Sequence, residues 1–267
     1  MPAIRTAREL ARAELTSQIK AEARRQLAEH GAQRLSLRAV ARELGMASSA
    51  LYRYFPSRDD LLTDLIIDAY DALGAAVEQA VEQAAGRGSA ASPRVRWRAC
   101  CHAVRRWALA NPHEYALIYG SPVPGYQAPR RTVEPAGRVP AVIGSILTAA
   151  GPAGERGSAA GCPGPGVTAE LPGQLAAQAA LIGSIIAPGV PEPLIARALV
   201  AWTQLFGMVS FELFGQLVGV VRLSELPRPA AELADQLDQA RLLLRLGDWA
   251  TILPCRLHRW PMPCTAV

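Results

Sequence analysis

SLRAVARELGMASSALYRYF, residues 36–55, combines a helical apolar pattern with a glycine in its middle. A glycine inside a helix costs about 1 kcal/mol relative to alanine, whereas a turn can use its freedom to adopt a positive φ. Gly45 therefore predicts a corner between two short helices rather than a flaw in one. The side chains predicted to hold this corner are Val40, Ala41, Leu44, Met46, Leu51 and Tyr54.

Helices are also predicted on both sides of the corner. A helix over about 6–29 is predicted to end at a Gly31 cap, and Ser36 is positioned as the N-cap of the first corner helix. Ser57 with Asp60 resembles a capping box at the start of a long helix over about 58–85. The apolar stripes of these two flanking helices are Leu15, Ile19, Ala23 and Leu27, and Leu61, Leu62, Leu65, Ile66, Ala69 and Leu73.

The rest of the chain also has helical periodicity and lacks the alternation typical of strands, which predicts an all-α fold. Residues 151–166 contain nine Gly or Pro in sixteen positions, which predicts a disordered loop. Further helical segments are predicted over about 95–111, 114–120, 137–150, 171–186, 193–221 and 231–247. The predicted domains are residues 1–58, residues 59–248 and a C-terminal tail over 249–267.

Positive charge is concentrated at the N-terminal end. The formal net charge is +5, and residues 1–60 hold eleven Lys or Arg against seven Asp or Glu. Most of the excess therefore surrounds the corner, where it permits a polyanionic partner without proving one.

The cysteines and the apolar runs indicate in which compartment the protein works and whether it binds a metal or cofactor. The five cysteines form no Cys-x-x-Cys pair, which fits a reducing compartment. The tail residues Cys255, His258 and Cys264 are too loosely spaced for a metal site, so we expect no metal or cofactor. The apolar run 199–221 contains a glutamate, which favours a buried helix over a membrane span. With no apolar signal segment at its start, the chain is expected to be cytoplasmic.

The two corner helices satisfy the requirements of a helix-turn-helix, in which the second helix enters the DNA major groove. An ordinary helical hairpin is the alternative and would also place a glycine at its turn. The sequence ASSA favours DNA binding, because small side chains let the backbone and the serine hydroxyls approach a groove closely. Arg38, Arg53 and Arg58 surround this segment.

The stretch RLSLRAVARELGMASSALYRYFPSRDDLL resembles the DNA-binding domain of the TetR family of bacterial transcriptional regulators, over about residues 16–68. The resemblance implies a homodimeric all-α regulator with a second, ligand-binding domain. By position, it implies that Ser36 meets a phosphate and that Arg38 reaches a base or phosphate. Ser48, Ser49 and Ala50 match the base-facing positions. Tyr52, Arg53 and Tyr54 match the part of the recognition helix that contacts the DNA backbone. Arg58 matches the basic residue, more often lysine, at the start of the following helix, and completes the implied DNA-binding set.

Arg5, Arg8 and Arg12 leave two interpretations open. They could form an arm on the DNA backbone or minor groove, or they could belong to a solvated charged helix. The second interpretation is favoured by the sequence.

The second domain resembles a TetR subgroup named for a Trp-His-Gly signature. Trp202 and Gly207 match, whereas Phe206 occupies the histidine position. A ligand pocket is expected among the aromatic residues Trp97, Trp107, His113, Tyr115, Tyr119, Trp202 and Phe206. The two last long helices are expected to form a dimer through Leu199, Val209, Leu213, Leu237 and Leu242.

Two other classes of protein are alternatives to a ligand-responsive regulator. An all-α enzyme would need a nucleophile, base or metal cluster, and the four scattered histidines with no HExxH, Walker or GxSxG pattern offer none. A DNA-binding protein whose second domain only dimerises is compatible with everything in the sequence. We expect double-stranded operator DNA, a small-molecule effector and a second copy of the chain as partners, and the family default is repression.

Overall fold

The computed structural model describes residues 7–86, 92–150 and 171–216. Within these ranges the chain forms α-helices, two 3₁₀ turns and connecting loops, and no strand, so the fold is all-α as predicted. The helices are α1 (Ala7–His30), α2 (Leu37–Glu43), α3 (Ser48–Leu51), α4 (Arg58–Gly86), α5 (Pro93–Ala110), α6 (Pro112–Tyr119), α7 (Val133–Ala150), α8 (Gly173–Ile186) and α9 (Glu192–Leu213).

The chain divides into two compact units. Among the described residues, the first comprises 7–76 and 104–139, and the second comprises 77–86, 92–103, 140–150 and 171–216. By packing, therefore, the first unit extends beyond the predicted boundary at residue 58. The reason is that the start of α4 supplies Leu61, Leu62 and Leu65 to the core beneath the corner.

The corner between α2 and α3 is closed by the backbone of Gly45, whose φ is 64°. The Gly45 N–H donates to the Arg42 carbonyl at 3.1 Å, and the Met46 N–H donates to the Ala41 carbonyl at 2.8 Å. These two bonds form a Schellman motif, which satisfies the last carbonyls of α2 and favours glycine at the left-handed position. The predicted corner is thereby confirmed.

The helix caps around the corner also agree with the sequence. Ser36 Oγ accepts the Ala39 N–H at 3.4 Å at the start of α2. At the start of α4, the Asp60 N–H donates to Ser57 Oγ at 3.1 Å, and Ser57 Oγ donates to the Asp60 carboxylate at 2.7 Å. The carboxylate at this helix start is also favoured by the helix dipole.

One apolar core holds α1 to α4 together. Ile19, Val40, Leu51 and Leu61 have no exposed surface, and complete burial of such side chains contributes about 1.5–3 kcal/mol each. The remaining buried members are Ala23, Leu27, Leu35, Leu37, Ala41, Phe55, Leu62, Leu65 and Ile66, with Leu15, Leu44, Met46 and Tyr54 partly buried at the edge. All the residues predicted to hold the corner belong to this core.

An ion network ties α1 to α4 and α6 within the first unit. Lys20 Nζ lies 2.9 Å from Asp68 Oδ1. Arg24 contacts two helices at once, with Nη2 2.7 Å from Asp68 Oδ2 and Nε 2.8 Å from Glu114 Oε1. These side chains are 18–36% exposed, so the pairs are screened less than fully exposed ones. The network orients α1, the helix that packs beneath α2 and α3.

The second unit is built from the end of α4, the start of α5, the end of α7, and α8 with α9. Its buried side chains include Trp97, Ile146, Ile195 and Phe206. Gly183 on α8 gives α9 a close approach, because a methyl group there would meet Ile195 Cγ1 at 3.1 Å. By length and composition α9 could cross a membrane, a test that the core helices of soluble proteins also pass.

Two helices differ in length from the prediction. α7 begins at Val133 rather than near residue 137, because Pro135 falls in its first turn, where no N–H is needed. α9 ends at Leu213 rather than near residue 221, and residues 217–221 lie outside the described ranges. The predicted disordered loop 151–166, the predicted helix over 231–247 and the tail 249–267 also lie outside them.

Candidate nucleic-acid interface

The second corner helix presents small and polar side chains to solvent. Ser48 and Ser49 are exposed and Ala50 is half-buried, whereas Leu51 on the opposite side is completely buried. The α-helical segment is short, and turns continue it through Tyr52 and beyond. Residues 44–56 contain no Asp or Glu, so this surface has no carboxylate to repel a phosphate.

Residues at the start of α2 lie on the same domain. Arg38, the second residue of α2, is exposed, and its guanidinium is free to extend from the surface. Ser36 is half-buried, and its hydroxyl caps the N-terminus of α2. This is the helix N-terminus that the family resemblance implies will meet a phosphate. Tyr52 is 42% exposed, and Arg53 beside it is exposed as well.

Tyr54 has a more internal position than its neighbours. It is half-buried at the edge of the core, and the Cζ atom of Arg12 lies 5.6 Å from its ring centroid. This distance is within the range of a cation–π contact. The ring therefore packs between the core and an arginine of α1, a contact that the sequence did not predict. In the sequence, this contact is indicated only by the position of Arg12, which precedes Leu15 by three residues and so lies on the apolar face of α1.

Arg58 is half-buried at the start of α4. Its Nε donates to the Leu35 carbonyl at 3.1 Å and its Nη2 donates to the Ala32 carbonyl at 2.8 Å. Ala32 begins the 3₁₀ turn before α2 and its carbonyl also accepts the Leu35 N–H at 3.3 Å, and Leu35 is the residue that follows this turn. The guanidinium thus supports the loop between α1 and α2, and the DNA contact implied for Arg58 stays a prediction.

The predicted ligand-binding residues are divided between the two units. Trp97, Trp202 and Phe206 belong to the second unit, where the Trp202 and Phe206 rings stack with centroids 4.9 Å apart. The members in the first unit are Trp107, His113, Tyr115 and Tyr119. Of these seven residues, His113 alone is exposed to solvent, and Tyr115 is completely buried.

Tyr115 and Tyr119 belong to a tyrosine cluster within the first unit. The Tyr115 and Tyr119 ring centroids are 5.3 Å apart, and Tyr70 meets Tyr119 edge-on at 6.1 Å. Burial, reinforced by the two neighbouring phenols, raises the pKa of Tyr119 well above its usual value. The phenol remains neutral at physiological pH, which suits a packed interior.

The predicted dimer residues occupy different environments. Val209 is 3% exposed and packs inside its own unit, whereas Leu199 and Leu213 are half-buried. Leu237 and Leu242 lie outside the described residues. Other apolar side chains of α8 and α9 are exposed instead: Leu181 (65%), Ile185 (74%), Met208 (45%) and Phe211 (55%).

The described cysteines are poor candidates for reactive or metal-binding groups. Cys100 and Cys101 are free and buried on α5. Burial raises the pKa of Cys100 to about 12 and that of Cys101 well above its usual value, so both thiols are protonated at neutral pH. The described residues contain no group of His, Cys, Asp and Glu that could hold a metal ion. Cys255, His258 and Cys264 lie outside those residues.

The geometry defines a helix-turn-helix DNA-binding protein: two short helices meet at a glycine corner over one core, and the second exposes a polar, non-acidic surface. Comparison with known proteins agrees. Residues 19–65 match the family described as bacterial regulatory proteins of the tetR family, and residues 97–237 match the tetracyclin repressor-like C-terminal domain. The chain belongs to the TetR family of bacterial regulatory proteins and has the helix-turn-helix domain of that family at its N-terminal end.

Relatives and solved structures show the same likeness. The chain is 46% identical over 143 residues to the HTH-type transcriptional regulators Rv1816 of Mycobacterium tuberculosis and Mb1846 of Mycobacterium bovis. The match covers 52% of this chain and 57% of each relative, so it spans little more than half their length. A crystal structure of the regulatory protein SCO4313 has a TM-score of 0.64 at 33% identity, covering 89% of this chain and 99% of that one. A Rhodococcus sp. RHA1 protein of unknown function has a TM-score of 0.58 at 26% identity, covering 92% and 97%.

Proposed function

We propose that the protein is a cytoplasmic homodimeric repressor that binds a palindromic operator and is released from it by a small-molecule effector. One observation carries the DNA-binding part of this proposal: Leu51 of α3 is completely buried while Ser48 and Ser49 on the same helix are exposed. A core that orients small polar side chains outward on a short helix fits insertion into a major groove.

Within this proposal, Ser48, Ser49 and Ala50 face base edges, and Tyr52 and Arg53 contact the DNA backbone. The α2 N-terminus capped by Ser36 approaches a phosphate, where the helix dipole favours negative charge. Arg38 reads guanine, because its planar guanidinium can donate to O6 and N7 together. Residues 1–58 carry these contacts and form the proposed DNA-binding domain, and residues 59–248 form the proposed regulatory and dimerisation domain.

The proposed dimer interface uses the exposed apolar side chains of α8 and α9. On α8, Leu181 and Ile185 are four residues apart and therefore neighbours on one face. On α9, Val200, Met208 and Phe211 recur at helical spacing and are 37–55% exposed. A second copy would cover such rows in a self-complementary interface. The half-buried Leu199 and Leu213 lie at the margin of this surface.

The effector is proposed to bind in the second domain. Trp202 is half-buried, and its ring contacts the ring of the buried Phe206. Its solvent-accessible part therefore offers an aromatic surface to an effector. Trp97 belongs to the same unit. An effector that favours a form with wrongly spaced recognition helices would lower DNA affinity by shifting the population. Thermal unfolding in the presence of a metabolite and drug panel tests this part, because a ligand of the folded form raises the melting temperature.

The DNA-binding proposal is tested by selecting duplexes from a random-sequence library with the purified protein and footprinting the selected sequence. We expect two inverted half-sites centred about one helical turn apart, roughly 34–36 Å, with protection on both. Protection of a single half-site would contradict the dimeric arrangement. Recovery of no preferred sequence at low salt would contradict sequence-specific DNA binding altogether.

A further inference from the structure

The apolar stripe of α1 ends in an arginine at the edge of the corner. Ile19 is completely buried in the core and Leu15 is partly buried against it. Arg12 precedes Leu15 by three residues, so it lies on the same face one turn farther toward the N-terminus. α1 therefore carries a positive charge just where its buried face leaves the core.

The ring of Tyr54 supports this arginine. The Tyr54 N–H donates to the Leu51 carbonyl at 2.9 Å, so Tyr54 continues the last turn of α3. The Arg12 Cζ atom lies 5.6 Å from the Tyr54 ring centroid. A guanidinium held by a ring face loses less freedom when it later binds a partner than a fully mobile side chain does.

The guanidinium of Arg12 retains its capacity to bind an anion. Arg12 is exposed, and within the described part of the chain no carboxylate lies within salt-bridge distance of it. The Thr16 hydroxyl donates at 2.8 Å to the backbone carbonyl of Arg12, not to its side chain. Arg53, which immediately precedes Tyr54, is also exposed. One arginine thus lies over the Tyr54 ring, and a second, exposed arginine precedes Tyr54 in the sequence.

We propose that Arg12 binds a phosphate of the DNA backbone and that the Tyr54 ring positions it there. The interface would then extend from the corner helices onto α1, and Tyr54 would act through Arg12 rather than through its own hydroxyl. This inference rests on the proposed DNA-binding function. Because every nucleotide carries the same phosphate, the contact adds affinity without reading sequence.

The test measures the binding of fluorescein-labelled duplexes over a range of salt concentrations, using one duplex selected by the wild-type protein and one scrambled duplex. Each phosphate contact contributes about 0.9 to the slope of log K against log salt. For Arg12→Ala we expect the slope to fall by about 0.9 and the affinity to fall about tenfold at low salt on both duplexes. Arg106→Ala on α5 removes an equal charge from an exposed position and is expected to leave the slope unchanged.

Variants of Tyr54 separate the ring from the hydroxyl. Tyr54→Phe keeps the ring and is expected to bind like the wild type. Tyr54→Leu removes the ring while filling part of the space, and we expect it to weaken binding on both duplexes by no more than Arg12→Ala does. The double variant Arg12→Ala/Tyr54→Leu is expected to be no weaker than Arg12→Ala alone, and thermal unfolding confirms that each variant is folded.

The outcomes distinguish this inference from the function on which it rests. A wild-type protein that binds neither duplex overturns the proposed function itself. A wild type that binds, combined with an Arg12→Ala variant of unchanged slope and affinity, overturns the phosphate contact alone. A Tyr54→Phe variant as weak as Arg12→Ala assigns the contact to the hydroxyl and overturns the positioning role of the ring.

Discussion

The corner helices and the α8–α9 pair are both helical, yet they expose opposite kinds of side chain. In the corner, Leu51 is completely buried while Ser48 and Ser49 are exposed. In α8, Ile185 and Leu181 are 74% and 65% exposed. The first region buries its apolar side chains in its own core and exposes polar groups. The second exposes apolar side chains to solvent. We infer a polyanionic partner for the first and a second copy of the chain for the second.

The largest effect should follow from breaking the internal core of the corner. Leu51→Ala removes a completely buried side chain and is expected to lower the free energy of unfolding by about 2–5 kcal/mol, with loss of DNA binding. Tyr52→Ala is the matched control, because its side chain is 42% exposed and its stability should stay within about 0.5 kcal/mol of the wild type. Urea unfolding measures both. Equal stability losses would contradict the assigned packing.

A charge on the apolar face of α9 should produce the opposite phenotype. Phe211 is 55% exposed, so Phe211→Glu should leave the fold intact while weakening self-association by about 2 kcal/mol or more. Sedimentation equilibrium measures the dissociation constant. Leu10→Glu, at a 54% exposed apolar residue on α1, is the control and should leave association unchanged. A Phe211→Glu protein that remains as dimeric as the wild type would remove α9 from the interface.

The glycine of the corner should have a smaller effect than the core. Gly45 has a φ of 64°, and a side chain added there would meet no atom within 4 Å. Gly45→Ala should therefore cost only the backbone strain of a left-handed residue, about 1–2 kcal/mol. Gly45→Asn should cost less, because asparagine tolerates this conformation. Thermal unfolding orders the two variants, and an alanine variant as stable as the wild type would contradict the strained corner.

The smallest effect is expected from the ion network that orients α1. Arg24 and Glu114 are 36% and 21% exposed, so solvent screens their attraction, and a double-mutant cycle with alanine should give a coupling of about 0.3–1 kcal/mol. The coupling should decrease as salt is added. Unfolding at two salt concentrations measures it. A coupling of zero at low salt would show that the pair contributes nothing to the position of α1 relative to α6.

Much of the first region could be predicted because its signals are local. Gly45 specifies its own corner, Ser57 and Asp60 specify their own cap, and the period of the apolar residues identifies the buried faces of α1 and α4. The structure confirms these features one by one. The all-α fold and membership of the TetR family are likewise confirmed.

Tertiary contacts explain where prediction from the sequence fell short. The sequence assigned Arg58 to a DNA-contacting position but did not indicate that its guanidinium donates to the carbonyls of Ala32 and Leu35, which lie more than twenty residues earlier. Arg12 and Tyr54 lie even farther apart in the sequence than Arg58 and those carbonyls, and no periodic pattern links the two residues. On α9, the period identified an apolar helix but could not indicate that Val209 faces its own unit while Phe211 faces outward. A predominantly apolar helix gives too weak an amphipathic signal for that distinction.

The central claim, that the exposed corner surface reads DNA sequence, is tested most directly by the base-pair selectivity of Arg38→Ala. The measurement compares wild-type and variant affinities over every single-base-pair change of the selected operator half-site. We expect the variant to lose about 1–3 kcal/mol on the intact operator and to become indifferent at one guanine position while keeping its selectivity elsewhere. A variant weakened equally on all of these duplexes would contradict base reading by Arg38 and reduce its contact to the DNA backbone.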